Sequence, residues 1–217
     1  MLLKKDIQRP RVRSMLDKIS SRSGEFLPLE LFNVWLEKEK PANPIDSNIF
    51  ALATADAAGF PNVRLMLLKS VDHHGLWFFS NKNSEKGQEI GACPRGAFTM
   101  FLPSCRRQVR GRGLIDRLSA QESDDYFSGR PRGSQIGAWA SAQSLPLEDR
   151  AILEERVAEV EQQFAGKPVP RPPYWVGYRL LPLVMEFWSE RPNRLHERVQ
   201  FARESIDEPW QKLFLYP

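Results

Sequence analysis

The chain has 217 residues, 41% of them hydrophobic and 27% charged, which suits one globular domain with a real core. Its apolar runs all fall short of the roughly 18 residues a membrane span needs, and its start, Met1-Leu2-Leu3-Lys4-Lys5-Asp6, carries no signal-like apolar stretch. The net charge of +4 is a modest basic excess; with helix-turn-helix, zinc-finger and RNA-recognition signatures absent, the cluster Arg106, Arg107, Arg110 and Arg112 points to small phosphorylated ligands in preference to nucleic acid.

Residues 1–25 mix charges and serines without periodicity and predict a mobile arm ahead of a single domain over 26–217. A helix is expected over 29–40, with Leu29, Phe32, Leu36 and Trp35 on one side, ended by Pro41 and Pro44. Strands follow at 48–55 and 63–70, joined by the turn-forming Asp56-Ala57-Ala58-Gly59. Asp72-His73-His74-Gly75 is a second turn leading into a strand at 76–80; a short helix at 83–92 stops before Pro94. Further strands are expected at 97–102 and 108–118. Ser119-Ala120-Gln121-Glu122 has the spacing of a capping box, so a helix starts there and runs towards Gly129. Leu153, Val157, Val160 and Phe164 recur at helical spacing within a helix expected over 146–164, closed by Gly166 and followed by a proline-rich connector over 167–173. Strands at 176–181, 184–188, 198–203 and 210–216 complete the chain. Short strands joined by tight turns argue for an α+β fold built on an antiparallel barrel.

The segment Arg130 to Ser144 combines two arginines, two glutamines and three serines with Ile136, Ala138 and Trp139. That mixture suits a partly buried segment facing an anionic ligand, since guanidinium offers a planar fork to phosphate oxygens and neutral donors fix its orientation. Glu186-Phe187-Trp188 and the arginine- and histidine-bearing run Arg194-Leu195-His196-Glu197-Arg198 repeat the theme far along the chain, which implies one site assembled by folding. His73, His74 and His196 have no partners at metal-ligand spacing; Walker, dinucleotide and serine-hydrolase signatures are missing; Cys93 and Cys105 read as structural thiols of a reducing cytoplasm.

Taken together and in order, Arg64-Leu65-Met66-Leu67-Leu68-Lys69, Phe78 to Asn81, Ser84-Glu85-Lys86, Arg107-Gln108-Val109, Arg130 to Ser144, Glu186 to Trp188 and Arg194 to Arg198 resemble the pyridoxine (pyridoxamine) 5′-phosphate oxidase family from about Leu29 to the end. The resemblance implies a homodimeric split β-barrel that carries FMN at its subunit interface. It implies that Arg64, Lys86 and Ser80 hold the FMN phosphate, that Leu65, Met66, Leu67, Leu68 and Phe79 line the flavin, and that Gln108, Gln143, Ser144, Trp188 and Arg198 complete its site, partly from the second subunit. Lys69, Tyr126, Arg130 and Ser134 match positions for the substrate phosphate, and Arg194 and His196 the pair placed over the substrate ring. The implied reaction oxidises pyridoxine or pyridoxamine 5′-phosphate to the aldehyde and reduces O2 to hydrogen peroxide; a phenazine-type ring substrate is the alternative, and a non-catalytic binder of flavin or pyridoxal phosphate the reading from another class. The sequence departs from the family pattern at Glu85, where arginine is frequent, at Phe79, where tyrosine is common, at Leu102, near a usually aromatic position, and in having no Arg-x-x-Tyr element before the domain.

Overall fold

Pro28 opens the first helix at a position where a missing N–H costs nothing; the computed structural model describes residues 28–217, so the arm expected over 1–25 lies outside them. Helix α1 (Pro28–Glu39) buries Leu29, Leu31, Phe32, Trp35 and Leu36. Its buried face is broader than the periodicity predicts, since Leu31 is buried too; Phe32 stacks on Phe98 (5.9 Å) and Trp35 meets Phe187 edge-on (5.1 Å). The last turn is pinned by Glu39, whose buried carboxylate accepts from the Ser104 amide and hydroxyl and from Asn43 Nδ2.

Strands β1 (Ile49–Ala55) and β2 (Pro61–Leu67) form the expected hairpin, with Asp56 Oδ1 accepting from the amides of Ala58 and Phe60, and Gly59 at φ +87°. Only a residue without Cβ takes that conformation freely. The second strand ends at Leu67, earlier than the sequence suggests. Leu68 and Lys69 bridge to the two-residue β3 (Ser70–Val71), their amides bonding Asn48 O and Trp77 O. Strand β4 (Leu76–Asn81) leads through Asn83 into α2 (Glu85–Ala92), whose N-cap is Ser84. Strands β5 (Arg95–Leu102) and β6 (Arg107–Arg117) are a long antiparallel pair around the turn Pro103–Cys105.

Helix α3 (Ala120–Ser128) carries the capping box in full: Glu122 N bonds Ser119 Oγ, and the Ser119 amide bonds the Glu122 carboxylate. Two further helices are α4 (Arg132–Ala140) and α5 (Arg150–Gln163). The first of these is the polar-apolar segment the sequence left without an assignment. The second begins four residues later than expected, at the Asp149 cap, because the chain from Leu145 to Glu148 does not enter the helix.

With β7 spanning Trp175–Ser189, the sheet runs β2-β1-β5-β6-β7-β4-β3, all neighbours antiparallel, with β8 (Glu197–Ala202) on β7 and β9 (Gln211–Leu215) on β8. Strand β7 (Trp175–Ser189) corrects the sequence reading of two strands at 176–181 and 184–188. It is continuous along β6, but its other edge pairs with β4 from Trp175 to Leu180 and with β8 from Val184 to Ser189. Pro182, which has no N–H to give to a ladder, sits at the change of partner, and the register with β6 shifts between Arg112 and Gly113. Proline therefore forks the sheet here and does not end the strand. The fork curls the sheet into a half-barrel. The main core, including Phe50, Leu52, Phe78, Phe98, Tyr178, Met185 and Phe201, fills the concave side under α1. A second, smaller core of Phe127, Ile136, Phe164, Val169 and Trp175 lies under the helices α3, α4 and α5. Among the described residues, no helix is long and apolar enough to cross a membrane.

Candidate active site

Curling brings β2 near β4 without pairing them, and a cavity of about 380 Å³ opens at that seam. Its lining includes Leu65, Met66, Leu67 and Lys69 from the end of β2 and just beyond, Phe79 and Ser80 from β4, Tyr126 from α3, Arg130 from the following turn, and Gln143. Nine residues separated by as much as 78 positions in sequence, all expected at the site, thus meet in one place. Asn81, the end of the Phe78–Asn81 motif, joins them, as do Ile49 and Trp175, which the sequence reading did not single out. Gln143 Oε1 lies 3.4 Å from both Ser80 Oγ and the Asn81 amide, which draws the segment after α4 onto β4.

The cavity wall is aromatic. Phe79 lies 4.0 Å from Tyr126 and 5.0 Å from Trp175, with the three ring planes within 10° of one another. Lys69 Nζ stands 5.8 Å over Tyr126, and the Arg130 guanidinium 4.7 Å over Trp175 and 5.5 Å over Phe127. Arg130 Nη1 is buried with no hydrogen-bond partner among the described residues, and burial pulls the guanidinium below its ordinary value. An unpaired buried donor costs about 1–3 kcal/mol, and the residue that carries it is one of the two cations lining the cavity.

Arg64 does not line this cavity and reaches towards α2. Its guanidinium donates to Leu52 O (3.3 Å), to Thr54 Oγ1 and to Glu89 Oε2 (3.0 Å). Lys86, one helical turn before Glu89, is only 7% exposed; burial, and then the neighbouring Arg64 charge, depress its ammonium below the usual lysine value. Burial alone would push the Glu89 carboxyl up, but hydrogen bonds from Thr54 and Asn62 and the Arg64 guanidinium hold it below the usual carboxylate range. Two cations therefore share one carboxylate in a largely buried corner. This donor set fits a phosphate dianion, which would relieve the Lys86–Arg64 repulsion. Glu85 is exposed, yet its charge, like that of Glu89, favours the Lys86 ammonium and partly offsets the effect of Arg64. The sequence reading missed Glu89, although its i, i+3 spacing from Lys86 puts both on one helix face.

A second group forms elsewhere on the sheet. Gln108, Trp188 and Arg198 are direct cross-strand neighbours on β6, β7 and β8. The His196 ring packs on Trp188 (4.6 Å), and His196 Nδ1 accepts from the Arg191 amide (3.3 Å). Arg198 is held by Glu186, 3% exposed, through Nε to Oε1 (2.8 Å) and Nη2 to Oε2 (3.0 Å), and Arg110 grips the same carboxylate at 2.6 Å. Burial would raise Glu186, but the bonds from Arg198 and Arg110 keep it below the usual range. Arg194 is exposed at φ +61°, directly after Asn193 at φ +58°. None of these residues lines the 380 Å³ cavity, so one chain does not gather every expected residue. Ser134, in the exposed first turn of α4, and Ser144, at φ +74°, also stand outside its lining. Neighbouring polar groups serve the fold instead: Arg132 caps α5 through Phe164 O (2.7 Å) and Lys167 O (2.9 Å), and Gln135 ties α4 to Phe127 O (2.9 Å). Likewise Arg106 is paired with Glu190 (2.8 Å) and Arg107 stacks over Trp35 (4.5 Å), so most of the basic cluster is engaged within the protein.

Residues 37–164 match the family model for pyridoxamine 5′-phosphate oxidase, and residues 175–217 that for the pyridoxine 5′-phosphate oxidase C-terminal dimerisation region. The chain belongs to the pyridoxamine 5′-phosphate oxidase family. A pyridoxine/pyridoxamine 5′-phosphate oxidase of Bradyrhizobium sp. (strain ORS 278) is 46% identical over 197 residues, covering 91% of this chain and 90% of its own. That of Azorhizobium caulinodans is 48% identical over 199 residues, covering 90% and 94%. Among solved structures, PhzG from Burkholderia lata 383 in complex with tetrahydrophenazine-1-carboxylic acid superposes with a TM-score of 0.84 at 30% identity over 98% of both chains. A pyridoxamine 5′-phosphate oxidase-related, FMN-binding protein from Nostoc punctiforme shares the fold (TM-score 0.70, 15% identity, 87% of this chain and 96% of its own). Trp188, Arg194, His196 and Arg198 all fall inside the dimerisation region of this pyridoxamine 5′-phosphate oxidase family member.

Proposed function

We propose that this chain is an FMN-dependent oxidase that converts pyridoxine or pyridoxamine 5′-phosphate to pyridoxal 5′-phosphate, with O2 reduced to hydrogen peroxide and, for the amine, water consumed and ammonia released. The observation that carries this reading is the seam cavity, where Lys69, Tyr126 and the unpaired Arg130 Nη1 surround space beside the Leu65–Leu67 edge. A phosphate dianion answers both cations, whereas a ring carboxylate would bring a single charge.

FMN held here would supply the two-electron chemistry, taking a hydride, which carries both electrons, from the C4′ carbon and passing the pair on to oxygen. Arg64, Lys86 and Ser80 hold its phosphate, and Leu65, Met66, Leu67, Leu68, Phe79, Gln143 and Ser144 line its ring system. Gln108, Trp188 and Arg198 close the flavin site from the second subunit of a homodimer, whose interface the C-terminal region supplies. This division explains why the two groups lie apart in one chain. Lys69, Tyr126, Arg130 and Ser134 bind the substrate phosphate. Arg194 and His196 cover the substrate ring; the Arg191 amide occupies His196 Nδ1, so the neutral ring keeps its proton on Nε2 and presents a donor. Glu186 fixes the orientation of the Arg198 fork. Free Cys93 and Cys105 fit a cytoplasmic location.

The test is aerobic incubation of the purified, FMN-supplemented protein with pyridoxine 5′-phosphate, following aldehyde and peroxide together. Equal yields of both are expected; a flavin-loaded protein that makes neither refutes the assignment. The likeness to PhzG favours one second reading, oxidation of a reduced phenazine-type ring, which the same assay with that substrate class would reveal.

A further inference from the structure

We propose that Trp175 is a positioning residue for phosphate recognition: it holds the Arg130 guanidinium by its ring face so that the fork stays unpaired and aimed at the cavity. This rests on the B6-phosphate reading of the site.

Two features make Trp175 suitable. The first is its own anchoring. It is the first residue of β7, it pairs with Asn81 of β4, its amide bonds Pro172 O (3.0 Å), and its carbonyl accepts from Arg171 Nη1 (2.7 Å). Trp175 is 7% exposed, and its ring sits in the smaller core against Phe127 (5.0 Å). The indole is thus fixed by contacts that do not involve Arg130. The second is what it does to the cation. A carboxylate beside Arg130 would orient it too, but would consume its donors and compete with phosphate. An aromatic face attracts the cation while leaving every N–H edge free, and the attraction strengthens where water is excluded. Arg130 bears the signature of this choice: stacked on Trp175 at 4.7 Å, with Nη1 buried and unpartnered. The same device recurs beside it, where Lys69 rests over Tyr126 and Phe79 joins the Tyr126 and Trp175 rings into one wall. Both cations that face the cavity are therefore held by aromatic faces.

The experiment combines steady-state kinetics on the FMN-loaded enzyme with ultrafiltration binding of pyridoxal 5′-phosphate and of phosphate-free pyridoxal. Trp175→Leu is expected to raise KM for pyridoxine 5′-phosphate and Kd for pyridoxal 5′-phosphate about tenfold, with kcat within about twofold and pyridoxal binding unchanged. Trp175→Phe, which keeps a ring face, should recover most of the loss. In an Arg130→Ala background, Trp175→Leu should add nothing, because the residue acts through Arg130. Additive effects in the double variant, or equal weakening of both ligands, would overturn the proposal. Should the leucine variant not fold, Trp175→Phe carries the test alone: a two- to threefold rise in KM that disappears in the Arg130→Ala background supports it, and an unchanged KM refutes it. A wild-type protein that oxidises no B6 phosphate would sink the functional reading itself, an outcome visible before any variant is made.

Discussion

Replacing Arg130 by alanine separates a ligand-binding arginine from a structural one. In the folded chain this guanidinium stacks on Trp175 and Phe127 and leaves Nη1 buried without a partner. Removing it forfeits cation–π attraction of about 0.5–2 kcal/mol but also removes an unsatisfied buried donor that costs about 1–3 kcal/mol. The two nearly cancel, so unfolding stability is expected to change by no more than about 1 kcal/mol, roughly 2–4 °C in Tm for a chain of this size. The bound state offers no such compensation. Charge-assisted bonds to a phosphate are worth about 1.5–3 kcal/mol, and each 1.36 kcal/mol is a factor of ten, so KM should rise roughly 10- to 150-fold. Thermal melts and initial rates on the same FMN-loaded preparation read both quantities. A large fall in Tm with an unchanged KM would make Arg130 a core prop and remove the phosphate from this cavity.

Arg194→Ala should cut turnover at least a hundredfold while the protein stays yellow, because this exposed side chain holds no contact the fold requires; unchanged turnover would remove Arg194 from the mechanism. The depressed Lys86 sets a pH dependence for FMN affinity. Bound phosphate favours the charged ammonium, so affinity should stay level below the lowered value and fall as pH rises through it, earlier than an ordinary lysine would allow; a flavin-fluorescence titration that stays flat for wild type, or that matches Lys86→Gln, contradicts this. The sign for stability is the reverse of a favourable pair: the charged Lys86 costs the flavin-free fold free energy at neutral pH, and that cost fades as pH rises through the same value. Gly113→Ala would place a Cβ 1.9 Å from Leu181 O and 2.7 Å from Pro182 Cα, both backbone, at the fork of the sheet. A loss of about 3 kcal/mol or more is expected, and a near-native melt would discredit the fork as the origin of the curl.

The elements with local causes were legible in the chain. The Asp56–Gly59 turn, the Ser119–Glu122 capping box and the Gly166 stop each draw on residues within a few positions, and each forms where the sequence puts it. Strand β7 was misread because Pro182 looks like a terminator when neighbours are unknown; only β4 and β8, taking turns on one edge, make it a bend within one strand. Helix α4 went unassigned because its polar side chains, Arg132 and Gln135, spend their hydrogen bonds on partners 32 and 8 residues away, so its periodicity is masked.

Site residues divide the same way. Their identities, Lys69, Arg130, His196 and the rest, are written in order along the chain, since phosphate and flavin demand particular donors whatever the scaffold. Which side each one serves is a matter of tertiary structure. Arg64 turns to Glu89 and Thr54 while the residues that follow it, Leu65, Met66 and Leu67, line the seam, a division set by where α2 and β4 lie along β2. Trp175 gains its place beside Arg130 only because β7 starts next to β4 beneath α3. The chemistry was therefore determined by the sequence, whereas the geometry came from long-range pairing, because hydrogen-bonding groups belong to residues and distances belong to the fold.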